Sequence, residues 1–275
     1  MSGRGWHRRR SCENTHVAWI DLDGAVNVRD VGGLPTTDGG ETVPGRLLRA
    51  DNLQNLSPAD IEQLVHNIGL TTVVDLRSAF ELASEGPAPL DSTPGVRHAH
   101  HSIVPEVGGV SEVVATALLA RREEDLRRYP NDRWCGHYLG YLEERPHEVT
   151  GAMRSIARSG GAAIVHCAAG KDRTGVIVAL ALSVAGVTEE AIVADYVATG
   201  ERARPIYERL LASPTYHDDI SRSSVESHVP RPETMARFLT VVEARHGGAR
   251  NWLAANGFTA EDQSFLYAKL RNYTR

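Results

Sequence analysis

The chain has 275 residues, of which 41% are hydrophobic and 24% are charged, a composition typical of a globular protein and not of a disordered or fibrous one. Its net charge of −5 argues against a general nucleic-acid binder, since such proteins present a basic face to phosphates. Three cysteines without regular spacing fit neither a disulfide framework nor a four-cysteine zinc site.

Residues 1–20 are predicted to form a disordered basic tail, because arginines are frequent there and no apolar stretch is long enough for a signal-peptide core. Cys12 belongs to this tail. The apolar run Val176–Val187 is too short to cross a bilayer and is interpreted as a buried helix. A reducing, cytoplasmic setting without stable membrane insertion is expected, with residues 21–275 forming one domain.

The first elements after the tail are short. Glycine, proline and aspartate punctuate residues 27–52, which predicts turns and brief strands. Ser57 and Pro58 are suited to begin the first helix, which ends before Gly69. The β-branched run that follows predicts a buried strand over Thr71–Leu76, with Asp75 near its end.

The segment 105–145 is predicted to contain a helical insert. Apolar residues recur at helical spacing from Val110 to Leu118, and a charged stretch follows from Arg121 to Arg128. Two interpretations stay open, namely a lid that covers a pocket and a surface helix packed on the core.

A second buried strand is predicted over Ala162–Val165, after a helix marked by Val149–Ala157. Strands joined by helical connections indicate a parallel sheet. The C-terminal third is predicted to be helical, with one helix starting at Thr188, one ending at Gly247 and a last one through Phe265–Leu270. The fold class is therefore α/β, a single domain with a central, mostly parallel sheet flanked by helices.

The segment His166–Gly175 lies between the predicted strand and the apolar helix. A loop in this position directs backbone N–H groups and the positive end of a helix dipole at one point, which favours a phosphate. Gly170 permits an unusual backbone conformation, and the small side chains of Ala168 and Ala169 keep the loop open. Arg173 supplies paired donors that match two phosphoryl oxygens.

Cys167 is the candidate nucleophile, because helix N-termini and nearby cations favour the thiolate form of a cysteine. Lys171 adds a second positive charge beside the arginine, and the Thr174 hydroxyl is placed to donate a hydrogen bond to the sulfur. Chemistry of this kind needs no metal ion and no cofactor.

This loop, His-Cys followed by five residues and Arg-Thr-Gly, resembles the active-site loop of protein tyrosine and dual-specificity phosphatases. The segments Asn27–Gly33, Gly45–Arg49 and Val73–Arg77 resemble the bacterial tyrosine-phosphatase-like branch, whose loop carries Gly-Lys-Asp-Arg. The resemblance covers nearly everything after about Asp21. It implies a protein-tyrosine-phosphatase-like fold and activity on phosphotyrosine, and sometimes on phosphoinositides.

The resemblance implies a two-step hydrolysis in which Cys167 forms a cysteinyl-phosphate and Arg173 stabilises the phosphoryl oxygens. Asp75 is the preferred general acid, because its strand is expected to end on the same rim as the loop, and the resemblance supports this choice. Asp172 is the alternative. It is suited to act as the acid, to orient the attacking water, or to pair with Lys171.

Other functions remain as alternatives. Lys171 beside the arginine resembles phosphoinositide phosphatases, although those enzymes often have a further lysine where this chain has Ala168. A rhodanese-like sulfurtransferase and a non-catalytic phospho-ligand-binding protein are less favoured. The expected partner is a phosphorylated protein or a phosphoinositide, and not a nucleic acid.

Several polar residues outside the loop are interpreted as structural. For four of them a structural role in salt bridges or turns near the N-terminus is favoured, and a place in the pocket is the alternative, namely Arg29, Asp30, Arg49 and Asp51. The cluster His98, His100 and His101 lacks the carboxylate or cysteine spacing of a metal site. Cys135 is expected to pack in the core.

Overall fold

The structure is a computed structural model, and it describes residues 17–104, 127–130 and 132–271. Most of the predicted basic tail, including Cys12, lies outside the described residues. So does the part of the predicted insert that covers residues 105–126 and 131.

One mixed sheet organises the described residues. Its six strands are β1 (Ala18–Trp19), β2 (Arg29–Asp30), β3 (Leu47–Ala50), β4 (Leu70–Asp75), β5 (Arg97–His100) and β6 (Ala162–His166). In space they follow the order β1-β2-β3-β6-β4-β5. Strands β3, β6, β4 and β5 pair in parallel, whereas β1 and β2 join antiparallel. The prediction of a mostly parallel sheet is confirmed, and β1 begins inside the segment assigned to the tail.

Helices flank this sheet. Over the described ranges they are α1 (Pro58–Glu62), α2 (Ala79–Glu85), α3 (Arg133–Glu144), α4 (Pro146–Ala157), α5 (Asp172–Val184), α6 (Glu189–Ala198), α7 (Ala203–Ala212), α8 (His217–Ile220), α9 (Pro232–His246), α10 (Ala249–Ala255) and α11 (Ala260–Arg271). The predicted boundaries at Ser57, Thr188 and Gly247 are confirmed as helix caps.

Helix α5 lies at the centre of the core. Every residue from Val176 to Leu182 is buried, which agrees with the interpretation of this apolar run as an interior helix. Among the described residues, no helix is long and apolar enough to cross a membrane.

The sheet places the predicted loop between two neighbouring strands. Asp75 at the end of β4 pairs with His166 at the end of β6, and Ala50 of β3 pairs with the same histidine on the other side. The residue after His166 is Cys167, so the candidate nucleophile lies at the carboxyl edge of the parallel strands. Helix α5 begins five residues later.

Candidate active site

In the loop after Cys167, hydrogen-bond donors from other segments hold three backbone carbonyl groups on the outer side of the loop. The carbonyl groups of residues 168–170 accept, in order, from Asn52 N–H at 3.0 Å, Asn27 Nδ2 at 2.9 Å and Arg49 Nη2 at 2.7 Å. In a trans peptide the N–H points opposite to the C=O, so the N–H groups that follow these carbonyls face the inner side of the loop. Within the described chain, the N–H groups of residues 168–174 donate no hydrogen bond. The loop therefore offers a set of unused donors.

Gly170 is required by this geometry. Its φ angle of +66° lies in the region that favours glycine, and a Cβ atom built there meets the carbonyl oxygen of Ala50 at 2.4 Å. A side chain at this position would force the loop away from the end of β3.

A buried ion cluster holds the arginine that supports the loop. Arg29 Nε lies 2.8 Å from Oδ1 of Asp195, and Arg49 Nη1 lies 2.5 Å from Oδ2. Both guanidinium groups are fully buried. Burial alone raises the pKa of Asp195, but the charges of the two arginines outweigh it and lower the value. The predicted structural role of Arg29 and Arg49 is confirmed, and Arg49 acts directly on Gly170.

Arg173 is held by a carboxylate that the sequence analysis missed. Its Nη1 and Nη2 atoms donate to Oε2 and Oε1 of Glu81 at 2.6 and 2.8 Å. Glu81 also accepts from the backbone N–H of Ser78, which in turn caps α2. Burial raises the pKa of Glu81, but Arg173 and Ser78 overcome this effect and lower it to about 2. The pattern Ser78-x-x-Glu81 after a strand is a capping box. It is the local sequence signal that could have placed Glu81 in the first turn of a helix beside the loop.

The side chain of Cys167 is nearly inaccessible, with 2% of its surface exposed. Thr174 is fully buried, and its hydroxyl has no hydrogen-bond partner among the described residues. The predicted hydrogen bond from Thr174 to the cysteine sulfur is therefore not formed in this structure. Thr174 therefore has one unused hydrogen-bond donor beside the loop. Burying a hydroxyl without a partner costs free energy of folding.

Asp75 lies on the predicted rim, but its neighbours oppose the role of general acid. Arg77 donates to both carboxylate oxygens, with Nη2 at 2.6 Å from Oδ2 and Nε at 3.0 Å from Oδ1. His166 Nε2 lies 3.4 Å from Oδ2. Burial raises the pKa of Asp75, but His166 and Arg77 outweigh it and hold the pKa well below its ordinary value. These contacts hold Asp75 as a carboxylate in this structure and do not favour it as the acid, so its role as general acid stays a prediction.

Asp172 has a different environment at the first position of α5. Its Oδ1 accepts a hydrogen bond of 2.5 Å from the hydroxyl of Tyr138, and Lys171 Nζ lies 3.7 Å from the same oxygen. No hydrogen bond reaches Oδ2 from any described residue. Asp172 therefore has one oxygen held and one available.

The ammonium group of Lys171 has partners outside the loop. Nζ donates to the carbonyl of His228 at 3.0 Å and lies 4.9 Å from the ring centre of Trp134. Only 5% of the residue is exposed. The contact of Lys171 with a substrate phosphate stays a prediction that these contacts do not favour.

Helices α7 and α8 cover the loop on one side. Ile206, Leu210 and Ile220 pack with Ala168 in a small apolar cluster. Tyr216, just before α8, donates to Glu81 at 3.1 Å. Helix α3 packs on the core. The pattern that predicts the insert, Val110–Leu118, lies outside the described residues, so both interpretations of the insert stay predictions.

The three clustered histidines bind separate partners. His98 lies 3.0 Å from Asp91, His100 Nε2 lies 2.8 Å from the carbonyl of Arg77, and His101 contacts Glu148 and Ser155. Across the described ranges, no group of three or more metal-ligating side chains comes together.

Comparisons with known proteins identify the family of this chain. Residues 20–272 match the family model described as the tyrosine phosphatase family. A candidate tyrosine-protein phosphatase of Cupriavidus necator is 31% identical over 75% of this chain and 77% of its own. The triple specificity protein phosphatase PtpB of Mycobacterium tuberculosis is 28% identical over 70% of this chain and 74% of its own. A tyrosine-protein phosphatase of Nostoc commune is 25% identical over 81% of this chain and 73% of its own.

Proposed function

We propose catalytic roles for individual residues of this chain and a preferred substrate. The chain belongs to the tyrosine phosphatase family, and it is a cysteine-dependent phosphatase that acts on phosphomonoesters. The observation that carries the proposal is the loop after Cys167, with three carbonyls held outward and Arg173 locked against Glu81. Donors that are fixed before the substrate arrives cost no reorganisation during the reaction.

In the first step the thiolate of Cys167 attacks phosphorus, and an S–P bond forms while the ester P–O bond breaks. The inward N–H groups of Ala169, Gly170 and Lys171 bind the equatorial oxygens together with the guanidinium of Arg173. Glu81 fixes the plane of that guanidinium through both oxygens, so its remaining donors stay aligned with the phosphoryl group.

Asp172 protonates the leaving oxygen as the P–O bond breaks. Its Oδ2 has no partner among the described residues, whereas both oxygens of Asp75 are bound by Arg77. A carboxyl group that is held by cations on both oxygens cannot keep a proton at neutral pH. The role of Asp75 is then to anchor Arg77 and His166 at the edge of the sheet.

In the second step a water molecule attacks the phosphocysteine and gives its proton to the carboxylate of Asp172. The S–P bond breaks, the thiolate of Cys167 is restored, and inorganic phosphate leaves. The unpartnered hydroxyl of Thr174 donates to the departing sulfur, the role proposed for it from the sequence.

Protein phosphotyrosine is the preferred substrate. The relatives from C. necator and N. commune bear the name of tyrosine-protein phosphatase, and the relative from M. tuberculosis is named a triple specificity protein phosphatase. The phosphoinositide alternative has two grounds, the family resemblance and Lys171, and the ammonium group of Lys171 is engaged by His228 and Trp134.

Phosphate release tests the function directly. A phosphotyrosine peptide, a phosphoserine peptide and phosphoinositide vesicles are assayed without added metal, using wild type, Cys167→Ser and Cys135→Ser. Cys135 is the matched control, because it is buried and burial raises its pKa to about 12. We expect the fastest release from phosphotyrosine, retained turnover in Cys135→Ser, and loss of turnover with retained peptide binding in Cys167→Ser. Turnover by Cys167→Ser equal to wild type contradicts the proposal.

A further inference from the structure

Two buried tyrosines connect the candidate general acid to the interior of the protein. The hydroxyl of Tyr138 donates to Asp172 Oδ1 at 2.5 Å, and the hydroxyl of Tyr196 lies 2.7 Å from that of Tyr138. A tyrosine hydroxyl has one proton to donate. Since Tyr138 gives its proton to Asp172, Tyr196 must be the donor of the second hydrogen bond. The hydroxyl chain therefore runs in one direction, from Tyr196 through Tyr138 to Asp172.

We propose that Tyr138 positions the carboxyl group of Asp172 by holding Oδ1, so that the proton delivered to the leaving group is carried on Oδ2. This inference rests on the proposed role of Asp172 as general acid. A carboxylic acid carries its proton on one oxygen, and an oxygen that accepts a tyrosine proton is the unfavourable site for a second one. The hydrogen bond thus selects which oxygen is protonated and fixes the plane of the group.

The ring of Tyr138 is clamped on several sides. It meets the ring of Tyr196 edge to face at 6.3 Å and that of Phe238 edge to face at 6.2 Å between ring centres. The side chain is fully buried. Burial, and then the negative charge of Asp172, raise the pKa of Tyr138 well above its ordinary value. The hydroxyl therefore stays protonated, and remains a donor, through the range in which the enzyme works.

The same helix supports both the acid and the phosphate loop. In α6, Asp195 binds Arg49, which holds the carbonyl of Gly170, and the next residue, Tyr196, binds Tyr138. Two adjacent residues of one helix therefore set the position of the loop donors and the position of the acid. A proton donor must lie within hydrogen-bond reach of the leaving oxygen. Because α6 contacts both the phosphate loop and Asp172 through these partners, it fixes the distance between the acid and the bound phosphate.

Leaving-group dependence separates positioning of an acid from a general structural role. Phenolate is a poor leaving group that needs a proton, whereas 2,4-dinitrophenolate departs without one. We expect Tyr138→Phe to lower kcat/KM for phenyl phosphate by about tenfold, a part of the ~10²–10⁴ that general acid catalysis contributes. For 2,4-dinitrophenyl phosphate we expect kcat/KM, which excludes the later hydrolysis of the phosphocysteine, to stay within about twofold of wild type.

Three further variants make the result specific. Asp172→Asn should change the ratio of the two kcat/KM values more than Tyr138→Phe does, and the double variant should match Asp172→Asn alone. Phe238→Leu loosens the packing of the Tyr138 ring but keeps its hydroxyl, so it should lower Tm and change the ratio less than Tyr138→Phe does. Should Tyr138→Phe fail to fold, Tyr196→Phe is expected to shift the ratio in the same direction by less.

The outcomes distinguish the inference from the function on which it rests. If Asp172→Asn shows the wild-type ratio, Asp172 is not the acid, and the positioning role of Tyr138 fails with it. A changed ratio in Asp172→Asn, combined with equal losses on both substrates in Tyr138→Phe, overturns the positioning role alone.

Discussion

Two regions that meet at Cys167 treat their carboxyl groups in opposite ways. In the β4 rim, defined as residues 75–81, Asp75 and Glu81 each bind an arginine through both carboxylate oxygens. At the start of α5, Oδ1 of Asp172 accepts a hydrogen bond from the hydroxyl of Tyr138 and lies 3.7 Å from Lys171 Nζ, while Oδ2 has no partner among the described residues. A cation on both oxygens fixes the ionised form, whereas a hydroxyl on one oxygen leaves the other able to exchange a proton. In the proposed mechanism, the partners of each carboxyl group, and not its residue type or its distance from the loop, decide whether it anchors an arginine or donates a proton.

The largest expected effect contrasts the two aspartates on a phosphotyrosine peptide. Asp172→Asn removes the proton donor and should lower kcat by ~10²–10⁴, the usual contribution of a general acid. Asp75→Asn keeps the acid and should lower kcat by less than about tenfold. Steady-state kinetics with matched Tm values measures both. A larger loss of kcat in Asp75→Asn than in Asp172→Asn would contradict this contrast and identify Asp75 as the acid.

The pH dependence of the free energy of unfolding should show whether Glu81 is ionised in the folded protein. The pKa of Glu81 is lowered in the folded state to about 2, from an unfolded value of 4.5. A lowered folded pKa gives stability that is present above pH 4.5 and is lost as the pH falls toward 2. The contribution is at most about 3 kcal/mol at neutral pH. Urea unfolding of wild type and Glu81→Gln should show a free-energy difference that shrinks between pH 6 and pH 3, and a constant difference would contradict ionisation of Glu81.

Glu81→Gln should also weaken catalysis, because the amide replaces a charged partner of Arg173 and loses one of the two paired acceptors. We expect kcat/KM to fall by about tenfold to a hundredfold, less than the ~10²–10³ that follows from removing a transition-state donor outright. Glu85→Gln is the matched control on the same helix, because Glu85 bonds Asn52 and Ser213. Equal losses in the two variants would show that Glu81 acts only through the helix.

The smallest expected effect concerns the cap that presents Glu81. Ser78 begins α2 and accepts a hydrogen bond from the N–H of Glu81. Ser78→Ala should cost about 1 kcal/mol of stability, the usual value of a helix N-cap. Because Glu81 keeps its two bonds to Arg173, kcat should change by less than about threefold. Chemical denaturation and steady-state kinetics test both parts, and a loss of kcat as large as that of Glu81→Gln would contradict this division.

The sheet was largely predictable because its central strands have local signals. β-Branched residues and flanking glycines predicted Thr71–Leu76 and Ala162–Val165, within one residue of the observed strands β4 and β6. Strands β1 and β2 have two residues each. A pair of residues has no period, so neither strand could be located from the sequence.

The site was predictable only where its parts adjoin in the chain. The loop from Cys167 to Arg173 follows from its place between a strand and a helix. The link from Arg173 to Glu81 joins residues 92 positions apart, and the one from Asp172 to Tyr138 spans 34 positions. No spacing rule reaches such distances. The state of Asp75 depended on the side-chain direction of Arg77, which sequence position does not determine.

The central claim is that Asp172 donates the proton during hydrolysis initiated by Cys167. The pH profile of kcat/KM for a phosphotyrosine peptide tests it, because the limb that falls toward high pH reports the group that must be protonated. We expect this limb to disappear in Asp172→Asn and to persist in Asp75→Asn. Its persistence in Asp172→Asn together with its loss in Asp75→Asn would contradict the claim.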